Sequence, residues 1–384
     1  MPHLRGVNVN AIRKKTGVSE KELIEHWSLL VEEIETSRAT LDEECYNLYL
    51  SGYGCMNLLD SKKYPIDHVK ELLVSAPKKN LSPGLETYQA AMASYARTGE
   101  FADSPKLRLQ RVLEINQVMV GKGLECDSTT FHHMFEACLP HQIFAYGPEA
   151  NINSFKYANL NYAFDWSVYD IERMMMKQGV SHDRKTLLAM FYAFAFGGQY
   201  ESIKRRWREL SLSRVHRDRG LYTSLISILK EDHKEAIYAL TVVRHQMSRE
   251  SPPVEPDANL YKLLFDCCSL TKDTSATLDV LDALNTSNVQ PTEAMHEALV
   301  KACLSAPRLI DRAMEVINRA KIQEISLTNA TWEMMITHLL TKEKNVKEAK
   351  FTFNAYTSIR LLNRVPPSDW IRVMQAELES KKRK

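Results

Sequence analysis

A short motif recurs along this chain at nearly constant spacing, and its period is what most constrains the fold. The motif is an aliphatic residue, two variable residues and then Asp or Thr, as in Val254-Glu255-Pro256-Asp257. Successive motifs end 56, 35, 39, 35 and 36 residues apart. Such a period is typical of repeat proteins in which each unit packs on its neighbours. The six motifs end at Asp127, Asp183, Asp218, Asp257, Thr292 and Thr328.

Each motif is followed by two apolar segments with helical spacing. After the third motif, Leu221, Leu225 and Leu229 recur every four residues, and Ala236 and Leu240 continue the pattern in the next segment. One helical hairpin cannot bury both apolar faces, so consecutive hairpins must stack. The Asp or Thr that ends each motif is predicted to be the N-cap of the following helix. Eight units are predicted to start near residues 43, 85, 128, 184, 219, 258, 293 and 329.

The composition fits an all-α protein. The 384 residues include 13 Gly and 14 Pro, about 7% together, against roughly 12% in an average chain. This scarcity disfavours turn-rich β-sandwiches, low-complexity linkers and glycine-rich phosphate loops. The seven cysteines form no C-x-x-C pair, which favours buried thiols in a reducing compartment. The chain has no run of 18 apolar residues, so the sequence predicts no membrane span. Its net charge of +2 is too small to indicate a nucleic-acid partner by itself.

The repeat resembles that of the pentatricopeptide repeat family. The resemblance is clearest from Tyr222 to Asp257, where an aromatic residue near the start of the unit and a Pro-Asp ending enclose two helical segments. It covers about residues 43–363. It implies a right-handed α-solenoid of about eight stacked helical hairpins, whose first helices line a concave surface. It also implies binding of single-stranded or structured RNA in mitochondria or chloroplasts.

The resemblance also implies which side chains would contact RNA. In the family, one base per repeat is read by the residue after the aromatic and by the last residue of the unit. Thr223 with Asp257 fits the family's pairing and implies a purine, specifically guanine. The implied RNA-binding residues are Asn47, Gln89, Asp127, His132, Asp183, Asp218, Thr223, Asp257 and Lys262.

A cluster of basic residues follows the fourth unit's first helix. Ile203, Trp207 and Leu210 have helical spacing, so Trp207 is predicted to be buried while the cations face solvent. The resemblance places this second helix on the convex side of the solenoid. The cations are either a solvated helix face or a phosphate-contacting patch for structured RNA. The patch consists of Lys204, Arg205, Arg206 and Arg208.

Catalytic and metal-binding patterns are lacking in the sequence. His132, His133, Cys138 and His141 are close together, but neither a C-x-x-C nor an H-E-x-x-H pattern accompanies them. The carboxylates form no paired catalytic constellation, and no Walker-type loop is present. We therefore predict a protein that is not an enzyme and that uses no metal and no cofactor.

The chain is predicted to have three parts. Residues 1–42 form a basic N-terminal tail and a leading helix, residues 43–363 the repeat array, and residues 364–384 a C-terminal capping helix and basic tail. The first 19 residues contain no acid and several cations, which fits either a transit peptide or an ordinary flexible tail. An aromatic-rich insertion near residues 140–165 interrupts the array and fits either protein contact or base stacking.

Together these features predict a non-catalytic RNA-binding protein of mitochondrial gene expression, located in the matrix. It would support transcript stability, processing or translation. Two alternatives remain: a structural subunit or assembly factor of the mitochondrial ribosome, and a protein-binding helical-repeat scaffold. Glu297 and Glu333 favour these alternatives, because they place carboxylates at base-reading positions, where they would repel RNA phosphates. The sequence leaves the oligomeric state open.

Overall fold

The computed structural model describes most of the repeat array, as residues 25–29, 31, 42–98, 105–139, 168–210, 215–322, 327–343 and 345–362. Its described regular elements are all helical, which confirms the all-α prediction. The insertion near 140–165, the C-terminal segment 364–384 and most of the N-terminal tail lie outside the described residues. Among the described helices, none has both the length and the apolar character needed to cross a membrane.

The chain divides at His216 and Arg217 into two compact units. The described residues of the first unit form four helical hairpins, and a short 3₁₀ helix at Ala76–Lys79 follows α2. Its helices are α1 (Glu43–Leu59), α2 (His68–Ser75), α3 (Leu85–Arg97), α4 (Pro105–Gly121), α5 (Ser128–Ala137), α6 (Val168–Lys177), α7 (Arg184–Phe196) and α8 (Tyr200–Glu209).

In the part of the second unit that the structure describes there are also four hairpins, and a short 3₁₀ helix at Met247–Arg249 follows the second helix of this unit. Its helices are α9 (Arg219–Leu229), α10 (His233–Gln246), α11 (Ala258–Thr271), α12 (Thr274–Thr286), α13 (Glu293–Ser305), α14 (Ile310–Ile322), α15 (Asn329–Thr341) and α16 (Val346–Leu362).

The first helices of all eight hairpins begin at the eight predicted positions. The residue that ends each motif is the N-cap of the next helix, as predicted. The Asp127 side chain, for example, accepts a hydrogen bond from the backbone amide of Thr130. Such a bond satisfies one of the amide groups that a helix start leaves without an intrahelical partner. The same cap occurs at Asp183, Asp218, Asp257, Thr292 and Thr328.

Within each unit the first helices pack side by side. In the first unit α3 lies between α1 and α5, and α7 packs on α5. In the second unit α11 lies between α9 and α13, and α13 also contacts α15. Because α3 has neighbours on several sides, its residues from Thr87 to Ala96 are all buried. This stacking of hairpins within each unit is the arrangement that the repeat predicts.

The close approach of α1 to α3 depends on a glycine. A Cβ atom added to Gly54 would overlap with the backbone oxygen of Ser94 and would lie 2.6 Å from the Ser94 Cα. The Gly54 amide donates to the Ser94 hydroxyl at 3.3 Å, and that hydroxyl donates to the Leu50 carbonyl. A side chain at residue 54 would therefore push the two backbones apart.

Candidate nucleic-acid interface

The first helices of the first unit line a groove of about 540 Å³. Residues from α1, α3 and α5 contribute to it, together with the N-terminal ends of α5 and α7. Because these helices come from successive repeats, the groove offers one set of polar side chains per repeat. Five of the predicted RNA-binding residues line it: Asn47, Gln89, Asp127, His132 and Asp183.

Gln89 and Asp127 form a direct pair in this groove. The Gln89 side-chain amide donates to Asp127 Oδ1 at 2.6 Å and to Thr130 Oγ1 at 3.1 Å. Asp127 is also the N-cap of α5, so its carboxylate holds the helix start and the neighbouring repeat together. The two positions that the resemblance assigns to base reading are thus adjacent in space.

His132 belongs to a charged cluster on the groove wall. His132 Nε2 lies 3.2 Å from Glu136 Oε1, and His133 Nδ1 donates to Glu136 Oε2 at 2.8 Å. Arg97, one repeat earlier on α3, places its Nη2 atom 3.3 Å from Glu136 Oε1. Glu136 and His133 are buried, whereas His132 is partly exposed toward solvent. One carboxylate therefore contacts three basic side chains.

The electrostatics of this cluster keep Glu136 ionised. Burial alone would raise the pKa of Glu136, but the charges of Arg97 and His132 and the histidine hydrogen bonds hold it well below its usual range. Burial also opposes a charge on His132, yet the charge of Glu136 raises the His132 pKa. For His133 burial dominates and lowers the pKa. The cluster thus combines a carboxylate with one imidazole that burial keeps neutral.

Asp183 links the third and fourth repeats. It caps α7 by accepting from the Thr186 amide at 2.8 Å, and it accepts from the Ser128 hydroxyl at 3.0 Å. Burial opposes its ionisation, but the hydrogen bonds from Thr186 and Ser128 lower its pKa. Lys185, the second residue of α7, is exposed and lines the same groove. Lys185 is therefore a cation that a phosphate in the groove can reach.

The other four predicted RNA-binding residues lie in the second unit. Thr223 donates its hydroxyl to the Arg219 carbonyl at 2.9 Å, and Arg219 Nη1 lies 3.6 Å from Asp257 Oδ2. Lys262 forms a salt bridge of 3.1 Å with Asp266 on the same helix. Asp218 and Asp257 are the N-caps of α9 and α11. Thr223 and Asp257 are connected here through Arg219.

The basic patch on α8 is divided between two environments. Arg206 is mostly covered and pairs with Glu172 on α6 and, at 2.9 Å, with Glu209. Lys204 is mostly covered as well and forms a salt bridge with Glu201. Arg205 and Arg208 are exposed, while Trp207 is fully buried. Arg206 therefore links α8 to α6, Lys204 pairs within α8, and Arg205 and Arg208 face solvent.

Sequence reasoning assigned no role to Arg97, Glu136 and Lys185. Arg97 follows Gln89 by eight residues, and Glu136 follows His132 by four, so each lies on the same helix face as a predicted reader. That spacing is a signal that could have identified both residues. The contact between Arg97 and Glu136 joins residues that are 39 positions apart on two different helices. The spacing of residues within one helix cannot predict such a contact.

The groove belongs to an α-helical repeat protein. No protein-family model matches the chain. Two solved structures that it resembles are of the pentatricopeptide repeat protein PPR10, the first of them from maize. The PPR10 crystal structure has a TM-score of 0.48 and 17% identity, covering 92% of this chain and 47% of that one. PPR10 in complex with an 18-nucleotide psaJ RNA element has a TM-score of 0.39 and 16% identity, covering 90% and 51%.

A curated relative has a mitochondrial role in its name. The chain is 26% identical over 161 residues to the mitochondrial 15S rRNA processing factor CCM1 of Candida tropicalis. The match covers 41% of this chain and spans only 20% of that protein's length. The repeat pattern of the chain resembles that of the pentatricopeptide repeat family.

Proposed function

We propose that this chain is a non-catalytic RNA-binding protein of mitochondrial gene expression. The observation that carries the proposal is the groove of the first unit. There Asn47, Gln89 and His132, from three successive first helices, line one surface. Stacked first helices that each present a polar side chain are suited to hold a single strand with one nucleotide per repeat. The mitochondrial setting is supported by the similarity to CCM1 of Candida tropicalis.

Binding in this groove would support the stability, processing or translation of a transcript rather than its cleavage. The side chains that line the groove offer hydrogen-bond donors and acceptors and the cations Arg97 and Lys185. These groups suit base contacts and phosphate contacts, which respectively specify and position a nucleic acid.

The proposal is tested by titrating labelled organellar RNA into the full chain at several salt concentrations. Affinity should fall as salt rises, because phosphate binding releases counterions. Lys185→Glu should weaken binding several-fold and reduce the salt slope by about 0.7, the value expected for one lost contact to a single strand. Lys177→Glu is the matched control, because Lys177 is exposed on the second helix α6 and does not line the groove.

Two results would contradict the proposal. One is the absence of RNA binding at low salt. The other is equal loss of affinity in the Lys177 and Lys185 variants, which would mean that the groove is not where RNA binds. A protein that binds no RNA but captures mitochondrial proteins would instead support the scaffold alternative.

The exposed half of the basic patch supports a second candidate function, a subunit or assembly factor of the mitochondrial ribosome. Arg205 and Arg208 both face solvent on α8, which is the second helix of the fourth hairpin. Their guanidinium groups could contact phosphates of structured RNA. The test is co-sedimentation with a ribosomal subunit, which Arg205→Glu with Arg208→Glu should abolish. Arg206 is left unchanged because it pairs with Glu172. A wild-type protein that remains at the top of the gradient would contradict this function.

A further inference from the structure

The cluster of His132, His133 and Glu136 brings three metal-ligating side chains together in the groove wall. Their candidate ligand atoms all lie within 4.8 Å of one another. Among the residues that the structure describes, this is the one group of three such side chains at this separation. The sequence places Cys138 and His141 near the two histidines and predicts no metal, but the third member of the group in the structure is a carboxylate one helical turn further along α5.

The distances within the cluster suit a tetrahedral metal ion. A zinc ion with bonds of about 2.0–2.2 Å separates neighbouring ligand atoms by about 3.3 Å. Each imidazole nitrogen lies beside a different carboxylate oxygen: His132 Nε2 is 3.2 Å from Glu136 Oε1, and His133 Nδ1 is 2.8 Å from Glu136 Oε2. Because all the candidate ligand atoms lie within 4.8 Å of one another, side-chain movements would bring both nitrogens and one carboxylate oxygen to the tetrahedral separation. The metal needs a lone pair on His132 Nε2 and on His133 Nδ1, so a neutral imidazole carries its proton on the other ring nitrogen, and only an imidazole that is charged beforehand releases a proton on metal uptake.

The surroundings of the cluster supply the other features of a metal site. Burial of Glu136 and His133 limits the rotamers available to both, which preorganises two of the three ligands. Arg97 contacts the same carboxylate at 3.3 and 3.4 Å and would serve as its outer hydrogen-bond partner. His132 is the more exposed of the three and borders the groove, so a fourth coordination position would open toward a ligand there.

The charge of the groove gives a divalent cation a physical reason to bind. The charged residues that line it are five carboxylates and two permanent cations, and carboxylates repel the phosphates of RNA. A divalent ion on the wall would offset part of this excess negative charge. The charged residues are Glu44, Glu86, Asp127, Glu136, Asp183, Arg97 and Lys185.

We propose that His132 Nε2, His133 Nδ1 and the Glu136 carboxylate form a zinc-binding site on the wall of the groove. These donors are two imidazole nitrogens and one carboxylate oxygen, the set that zinc takes when it keeps a fourth position open for a ligand. The open position takes water in the free protein. When RNA occupies the groove, a phosphate oxygen or a base nitrogen replaces this water; this last step alone rests on the proposed function.

The first experiment measures metal binding without RNA. The full chain is freed of metal with a chelator and titrated with Co²⁺, whose visible absorption reports four-coordinate binding, and Zn²⁺ is then added as competitor. We expect one Co²⁺ per chain, displaced by Zn²⁺. His132→Ala should weaken binding about tenfold or more, since even outer partners of a metal ligand contribute a factor of 10–100. His132 is the ligand to remove because it is the least buried.

His233→Ala is the matched control, because His233 is an exposed histidine on α10 in the second unit. It should bind Co²⁺ as the wild type does. Circular dichroism shows that each variant is folded, and Glu136→Gln provides a second variant that keeps the side-chain shape. A folded wild-type chain that shows no one-to-one metal absorption would overturn the proposal. So would a His132→Ala protein that binds metal as tightly as the wild type.

The second experiment compares RNA affinity with Zn²⁺ and with chelator for each protein. The RNA affinity with Zn²⁺ divided by the RNA affinity with chelator should exceed one for the wild type and should equal one for His132→Ala. Because the comparison is made within each protein, any direct contact of His132 with RNA cancels. A ratio of one in a wild type that binds zinc would overturn the proposed link between the metal and RNA. If RNA binds under neither condition while cobalt still binds, the metal site stands and the proposed RNA-binding function fails.

Discussion

The two pairs of residues that the resemblance assigns to base reading, one in each unit, differ in the partner that the cap residue takes. Asp127 in the first unit accepts from the side chain of Gln89 on the first helix of the preceding hairpin. Asp257 in the second unit is approached instead by Arg219, while Thr223 donates to its own helix backbone. Both aspartates cap a helix. The repeat therefore fixes the Asp that caps each of these two helices. The side chain that contacts this Asp is not fixed by the repeat: it is Gln89 in the first unit and Arg219 in the second.

The largest expected effect on stability is at Gly54, where α1 and α3 of the first unit approach each other closely. Gly54→Ala should destabilise the first unit by about 3 kcal/mol or more, because overpacking with no room for adjustment requires backbone movement. Hydrogen exchange should show lost protection in residues 42–98 and unchanged protection in residues 217–322. Gly121→Ala is the control, since no atom lies within 4 Å of its added Cβ. Equal effects of the two substitutions would contradict the close approach.

The second prediction compares buried and half-exposed ion pairs in the two units. Glu172 pairs with Arg206 and lies 3.7 Å from His182. Burial opposes its ionisation, but these partners lower its pKa from 4.5 to about 2. Glu172→Gln should therefore cost about 2–3 kcal/mol at neutral pH. Asp266→Asn in the second unit should cost under about 1 kcal/mol, because its salt bridges to Lys230 and Lys262 are more exposed.

The pH dependence of this loss has a definite sign. A carboxylate whose pKa is lowered in the folded state contributes stability above its unfolded pKa and loses it as pH falls toward the folded pKa. The difference in unfolding free energy between the wild type and Glu172→Gln should be full above pH 4.5 and should shrink as pH falls from 4.5 toward 2. Urea unfolding at a series of pH values measures it. A difference that stays constant across this range would show that the charge of Glu172 is not its cause.

The third prediction compares the two cap residues directly. Asp257→Ala should cost about 1 kcal/mol, the usual loss for an N-cap. Asp127→Ala should cost about 1–2 kcal/mol more, because it also leaves the buried amide of Gln89 without its 2.6 Å partner. Asp257→Asn and Asp127→Asn should recover most of the cap contribution, since Asn is also a good N-cap. Thermal unfolding of the four variants provides the measurement, and equal losses at both positions would refute the difference between the pairs.

The features that sequence predicts well here are local. An N-cap needs one side chain and an amide three residues later, so all six motif ends and all eight first-helix starts follow from the printed sequence. The contacts that shape the groove are not local. Arg97 and Glu136 are 39 residues apart, and Arg206 reaches Glu172 across 34 residues. The sequence showed a dense group of cations on α8, but which cations face solvent depends on how α6 and α8 pack.

The smallest effect on stability is expected at Thr223. A substitution there tests whether the pair of Thr223 and Asp257 contacts a base. Thr223→Val removes a hydroxyl that donates to its own helix backbone, so the unfolding free energy should change by less than about 0.5 kcal/mol. The resemblance nonetheless assigns Thr223 and Asp257 to guanine. Selection from a random RNA pool with the wild-type chain should then enrich guanine at one position, and the variant should lose this preference by about tenfold. Ser224→Ala, which removes a similar hydroxyl bonded to the Gly220 carbonyl, is the control. An identical base profile for wild type and Thr223→Val would mean that this pair, despite its fit to the family's pairing, does not contact a base, and that the Arg219 contact with Asp257 stabilises the repeat instead.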